Sequence, residues 1–216
     1  MVAVPIPSHQ LRGPVKMKVC FVGDFAVGKT SVAERFVHNR FRSAYVPTIG
    51  TQILKKEFVV GNPAGKGSLQ IDMVIWDIMG QKGFRELLNE AYFHGARGIL
   101  AVCDITRGET LENLPYWIDC VLKVTGKIPI EIIGNKWDLR HQREMEDVDL
   151  SELGNRYDSG CHLTSAKTGR NVEEVFFRLA ENHIIENVSA SSHQPEDSSI
   201  RPTGPSHQRS SLEEAT

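Results

Sequence analysis

Long apolar runs are missing from this chain of 216 residues. None approaches the roughly 18 consecutive apolar residues that a membrane-spanning helix requires. Net charge is nearly missing too. Lys and Arg number 25 against 27 Asp and Glu, a formal charge of −2, so no global field recruits nucleic acid or an acidic membrane surface. Cysteine is scarce. The four present, Cys20, Cys103, Cys120 and Cys161, are widely spaced, and most sit in apolar runs without any C-x-x-C or His/Cys cluster. That pattern suggests no zinc-type site and is what reduced core thiols of a cytoplasmic protein look like. The opening MVAVPIPSHQLRGP has no apolar stretch with a small-residue cleavage pattern after it, so no secretory signal is expected. Position 2 is Val and no Cys follows Cys161, so neither N-myristoylation nor a prenyl anchor is expected.

With 40% hydrophobic and 24% charged residues, what is present suits one ordinary globular domain. Its ends differ from its middle. Residues 1–14 are Pro-rich and read as a flexible arm. Residues 187–216 are rich in Ser, Pro and His with almost no large apolar side chain, so they cannot bury enough surface to offset their ordering entropy and read as a disordered tail. Between them, strand and helix patterns alternate. Short apolar runs at 17–23, 98–104 and 128–135 read as buried parallel strands. Residues 52–60 and 68–76 read as a hairpin pair around GNPAGKG, and 160–164 as a weaker sixth strand. Helical spacing recurs at 31–39, 84–94, 110–124 and 172–185. The expected fold is a doubly wound α/β domain, a six-stranded and mostly parallel sheet over 15–186 with helices on both faces and ligand loops at the carboxyl ends of the strands.

The stretch GDFAVGKTS, Gly23 to Ser31, matches G-x-x-x-x-G-K-[ST] between a strand and a helix. Chance supplies such a match in roughly one chain in a hundred of this length. Glycine lets the backbone curl around an anion, so the amides from Phe25 through Ala26, Val27, Gly28, Lys29 and Thr30 to Ser31 can line a positively polarised nest. The following helix adds its dipole. Lys29 brings a mobile charge to the outer phosphates, and the Thr30 hydroxyl can ligate Mg²⁺. The later strands end in polar groups as a nucleotide site requires. Asp77, in IDMVIWDIMGQ, is placed to accept from water on Mg²⁺, and the D-x-x-G spacing puts the Gly80 amide near a γ-phosphate. In IIGNKWD, the Asp138 carboxylate can accept both adjacent donors of guanine. Adenine would leave it buried and unpaired, at a cost of about 1–3 kcal/mol. Lys136 can lay its stem over the base and Asn135 can tie the loop to its neighbours. In TSAK, Thr164 to Lys167, the Ala166 amide can meet guanine O6, with Ser165 and Lys167 beside it.

GDFAVGKTS, PTIG, WDIMGQ, NKWD and TSAK occur in the order and rough spacing of the Ras superfamily of small GTPases, which the chain resembles over about residues 16–186. The likeness is strongest to Rab-like members, whose usual motifs are GDSGVGKTS, YKPTIG, WDTAGQ and YYRGAQG. The resemblance implies GTP or GDP as bound nucleotide with Mg²⁺ held by Thr30, Thr48 and Asp77. It also implies that Phe41 stacks on guanine, that residues near 41–51 and 78–95 are switches, and that Gln81 orients the attacking water while Lys29 stabilises phosphoryl charge. An exchange factor, an activating protein and effectors would engage a monomer through those switches, without nucleic acid. Each of these residues has an ordinary alternative, a strand start for Thr48, core packing for Phe41, a surface position for Gln81. Their joint order speaks against chance.

Two departures touch the chemistry. Phe25 and Met79 stand where small residues are usual, beside the expected γ-phosphate. They could shield the phosphate from water, block an inserted arginine, or simply point outward. Three residues ahead of Thr48, where Gα proteins carry a cis arginine, this chain has Tyr45. Slow intrinsic hydrolysis is therefore expected, on the order of 10⁻⁴ to 10⁻³ s⁻¹. Two other readings stay open, a hydrolysis-deficient GTP-bound scaffold and a P-loop nucleotide kinase, the latter disfavoured by NKWD with TSAK. Without a terminal Cys, membrane recruitment would need a protein partner.

Overall fold

A computed structural model describes residues 13–44, 47–63, 65, 67–80 and 90–191. Six strands form one sheet in the order β2-β3-β1-β4-β5-β6. They are β1 Val15–Val22, β2 Thr51–Gly61, β3 Ser68–Ile78, β4 Gly98–Asp104, β5 Ile130–Asn135 and β6 Gly160–Leu163. Only β2 runs antiparallel to its neighbour, from Thr51 opposite Ile78 to Gly61 opposite Ser68. The remaining pairs are parallel.

Position in the sheet explains the sequence patterns. β4 and β5 lie inside, with helices over both faces, and every one of their residues is buried. Parallel strands covered twice have no solvent side, hence the near-continuous apolar runs, interrupted inside β5 only by buried Glu131. β2 is an edge strand and alternates. One face carries α1 Lys29–His38 and α6 Val172–Ser191 over a core of Phe21, Phe36 and Phe176. The rings of Phe36 and Phe176 stack with centroids 3.6 Å apart, locking α1 to α6. The other face carries α2 Glu90–Phe93, α3 Glu109–Glu112, α4 Leu114–Thr125 and α5 Asp147–Tyr157 over Phe93, Trp117 and Ile118.

β1 pairs with β3 on one side and β4 on the other, so the chain's winding reverses there. Such a reversal splays the connections apart and leaves a crevice at the strands' carboxyl ends. The phosphate-type loop sits at that point.

Several elements depart from the sequence reading. The helix expected at 110–124 is two, broken at Asn113 because Pro115 opens the second. Pro lacks the N–H that continuation of the first would need. Helix α5 was not expected, since its buried apolar side chains, Leu150 and Leu153, are too few to show a stripe. The last helix runs on through Ser191, past the composition change at 187. Of the helix expected at 84–94 only 90–94 lies among the described residues, helical over 90–93, and Gln81 and Tyr45 lie outside them.

Candidate functional site

The crevice is a cleft of about 690 Å³ lined from four directions: by the phosphate-type loop, by residues 41–44, 47–49, 51 and 52, by Ile78, Met79 and Gly80, and by Asn135, Lys136, Asp138 and Leu139 with Ala166 and Lys167. Of the predicted binding residues, Phe25, Ala26, Gly28, Lys29, Thr30, Ser31, Phe41, Thr48, Gly80, Asn135, Lys136, Asp138, Ala166 and Lys167 are all in its wall. Val27, Asp77 and Ser165 stand just behind it, and each touches a lining residue.

The loop is built to leave donors unspent. Gly28, the N-cap of α1, has φ 98 and offers no side-chain cap, so the first-turn amides of α1 have no side-chain acceptor. A Cβ at Gly28 would lie 2.3 Å from Asn135 Nδ2. That amide donates to Val27 O at 2.9 Å, while its own Oδ1 accepts from Thr164 Oγ1 and the Ala166 amide, both at 3.2 Å. Asn135 therefore laces the phosphate loop to the TSAK loop.

Lys29 is 7% exposed and donates to Gly23 O and Asp24 O, each at 2.8 Å. Burial pushes its pKa down from 10.5 to about 8, against the pull of Asp77 and Asp24. Among the described residues this ammonium hydrogen-bonds only carbonyls, so no anion is in direct contact with it.

Beside it, Thr30 Oγ1 meets Thr48 Oγ1 at 3.0 Å and donates to Asp77 Oδ2 in a short bond. Asp77 is fully buried, and its Oδ1 has no partner among the described residues. Burial raises its pKa, opposed by Thr30 and Lys29. An orphaned carboxylate oxygen next to two hydroxyls is an all-oxygen donor set, which fits Mg²⁺ with its remaining positions left for water and phosphate. Gly80 lies against the loop so closely that a Cβ would be 2.5 Å from the Asp24 carbonyl carbon. No side chain fits there.

At the other end, Asp138 Oδ1 accepts from Ser165 Oγ at 2.6 Å, and Lys167 Nζ is 3.8 Å from Oδ2. Two expectations are modified. The Ala166 amide is engaged with Asn135 Oδ1, and Lys136, a residue of the cleft wall, has its Nζ tied to Asp104 Oδ2 at 2.6 Å. Of the two departures, Phe25 is 51% exposed, whereas Met79 turns inward at 6%.

Three site residues were not singled out in the sequence. Asp24 is 4% exposed and accepts from Trp117 Nε1 at 2.8 Å and Asn113 Nδ2 at 2.7 Å, bolting the loop to α4. Asp104, the last residue of β4, and Arg107 just after it form the second support. Burial would raise the Asp104 carboxyl, but hydrogen bonds from Lys136 and Thr106 hold it below the usual carboxylate range. Its position at a strand's carboxyl end was the available signal.

Fold and cleft together define a doubly wound P-loop nucleotide-binding protein. The Ras family matches residues 18–185, and the chain belongs to that family. It is similar to Ras-related protein SEC4 of Candida albicans, 32% identical over 80% of this chain and 81% of that protein. It is also similar to Ras-related protein Rab-21 of Geodia cydonium, at 32% over 83% and 76%, and to Ras-related protein Rab-13 of Canis lupus familiaris, at 30% over 86% and 90%. The chain is a Rab-like small GTPase, a GTP-binding switch.

Proposed function

We propose that the cleft binds GTP or GDP with Mg²⁺ and that the protein hydrolyses GTP slowly between two signalling states. The observation that carries this is the pairing of a buried Lys29, bonded to carbonyls, with the orphaned Asp77 oxygen beside Thr30 and Thr48. The loop amides and Lys29 bind the phosphates and stabilise charge developing on the γ-phosphoryl oxygens. Thr30, Thr48 and Asp77 hold Mg²⁺, which when bound neutralises phosphate charge. Asp138, oriented by Ser165, selects guanine, with Phe41 on the base. Gly80 donates its amide to the γ-phosphate, and Gln81 holds water in line. Residues near 41–51 and 78–95 respond to the γ-phosphate and present the two states to an exchange factor, an activating protein and effectors. The protein acts as a cytoplasmic monomer, with membrane recruitment through a protein partner. Among the described residues no helix is long and apolar enough to cross a membrane.

A second reading has its own observation. Phe25 at the cleft's edge and Met79 inside it crowd the γ-phosphate end, which favours a GTP-bound scaffold with little turnover.

Single-turnover hydrolysis of preloaded GTP, beside Gln81→Leu, separates the two. The switch reading expects slow phosphate release that the substitution abolishes. GTP held tightly by both proteins without release would hand the assignment to the scaffold.

A further inference from the structure

Arg107, part of the second support, is a cation fastened to a phosphate-loop carbonyl from outside the cleft wall. Its Nη2 donates to Phe25 O at 2.9 Å, and its Nε donates to Asp104 Oδ2 at 3.1 Å. Its guanidinium carbon lies 5.6 Å from the centre of the Phe25 ring, within cation–π range. The anchor is rigid: Asp104 is 1% exposed, and the Arg107 backbone is tied at both ends, its amide to Asp104 O at 2.9 Å and its carbonyl to Thr110 Oγ1 at 2.7 Å.

The peptide it grips is a strained one. Ala26 has φ 58, the left-handed region that Gly enters freely and a Cβ penalises. In the Rab-like motif GDSGVGKTS that place holds Gly; here it holds Ala. The loop's own residue therefore resists the conformation the loop adopts. A peptide unit is planar, and its C=O and N–H point in opposite directions. Fixing the Phe25 carbonyl on Arg107 therefore fixes the Ala26 N–H on the opposite side. Ala26 lines the cleft, while Arg107 stands outside its wall.

We infer that Arg107 is a positioning residue of the phosphate loop: it clamps the Phe25–Ala26 peptide in its disfavoured conformation so that the Ala26 N–H is aimed at the bound phosphates. A charged donor on the carbonyl also polarises the same peptide's N–H and strengthens it as a donor. The inference rests on the cleft being the phosphate site proposed above.

The test is a double-mutant cycle of Arg107→Met and Ala26→Gly in the full chain, loaded with Mg²⁺ and fluorescent GDP or with GTP. Arg107→Met keeps the stem but removes the donor. It is expected to speed GDP release roughly tenfold, the loss of one charge-assisted hydrogen bond, and to slow single-turnover hydrolysis. Ala26→Gly removes the strain Arg107 opposes, so adding it to Arg107→Met should return release to within about twofold of the parent. The Ala26 amide proton resonance of the Mg²⁺–GDP form should move upfield in Arg107→Met, a change that mere loss of folding stability would not produce. Parental release rates in Arg107→Met would overturn the clamp. So would faster release that Ala26→Gly fails to rescue, which would instead make Arg107 a direct phosphate contact. A parent chain that retains no guanine nucleotide would refute the functional proposal itself, an outcome visible before any variant is made.

Discussion

Two helices of this protein begin in opposite ways. At α5, Glu146 accepts from the third amide of the helix while Asp149 accepts from the Glu146 amide, so both orphan donors are satisfied within the turn. At α1, Gly28 offers no cap, and the neighbouring cation, Lys29, is buried against carbonyls. Buried carboxylates show the same contrast. Glu131, 1% exposed near the start of β5, has both oxygens occupied, one by His162 Nε2 at 2.7 Å and the other by Asn182 Nδ2 at 2.8 Å. Asp77, at the end of β3, keeps one oxygen without a partner among the described residues. Folding satisfies the polar groups it needs for itself. The Asp77 oxygen it leaves short of a partner lies at the carboxyl end of β3, beside the cleft, where a ligand can complete it.

The largest effect is expected from Lys29→Met. Nucleotide affinity should fall on the order of 10² to 10³-fold by fluorescence titration, with the fold kept by circular dichroism. Retained affinity would mean that the uncapped amides suffice.

Glu131→Ala should do the reverse, costing about 3 kcal/mol in denaturant unfolding because His162 and Asn182 lose a buried partner, while the folded protein binds nucleotide as before. A loss of affinity at constant stability would break the contrast between the two carboxylates.

Next is a pH effect set by Lys29. Its folded pKa is lowered from 10.5 to about 8 by burial. Between those values the unfolded chain keeps a proton the folded, nucleotide-free protein has released. Stability of that form therefore rises with pH from about 8 toward 10.5, and the burial cost is fully present below 8. Phosphate favours the charged ammonium, so nucleotide binding should take up a proton near pH 8 and weaken above it. Calorimetry in buffers of different ionisation enthalpy reads this directly, and zero uptake would contradict it.

The smallest effect belongs to the capped helix. Glu146→Ala should lower stability by about 1 kcal/mol, seen as a shift in the urea midpoint, without changing nucleotide release.

The phosphate loop, the order of the strands' polar ends and the central run of buried strands were legible from residue order alone. Their geometry is local: a glycine-bounded turn between an apolar run and a helical stretch dictates its own backbone. The doubly wound sheet follows from alternating strands and helices, since only burial on both faces explains runs like that of β4. The break between α3 and α4 and the whole of α5 escaped, because short helices with few buried residues carry weak periodicity.

The supports behind the site could not be read that way. Trp117 reaches Asp24 across 93 positions, Arg107 reaches Phe25 across 82, and Asn135 reaches Val27 across 108. No local pattern announces such partners, because strand order and helix packing decide which buried donor arrives beside which acceptor. Residue order alone pointed to a phosphate-type loop and to most of the side chains that line the cleft. The tertiary structure alone decided what holds those side chains still, since a buried polar group is satisfied only by what the completed fold brings within about 3 Å.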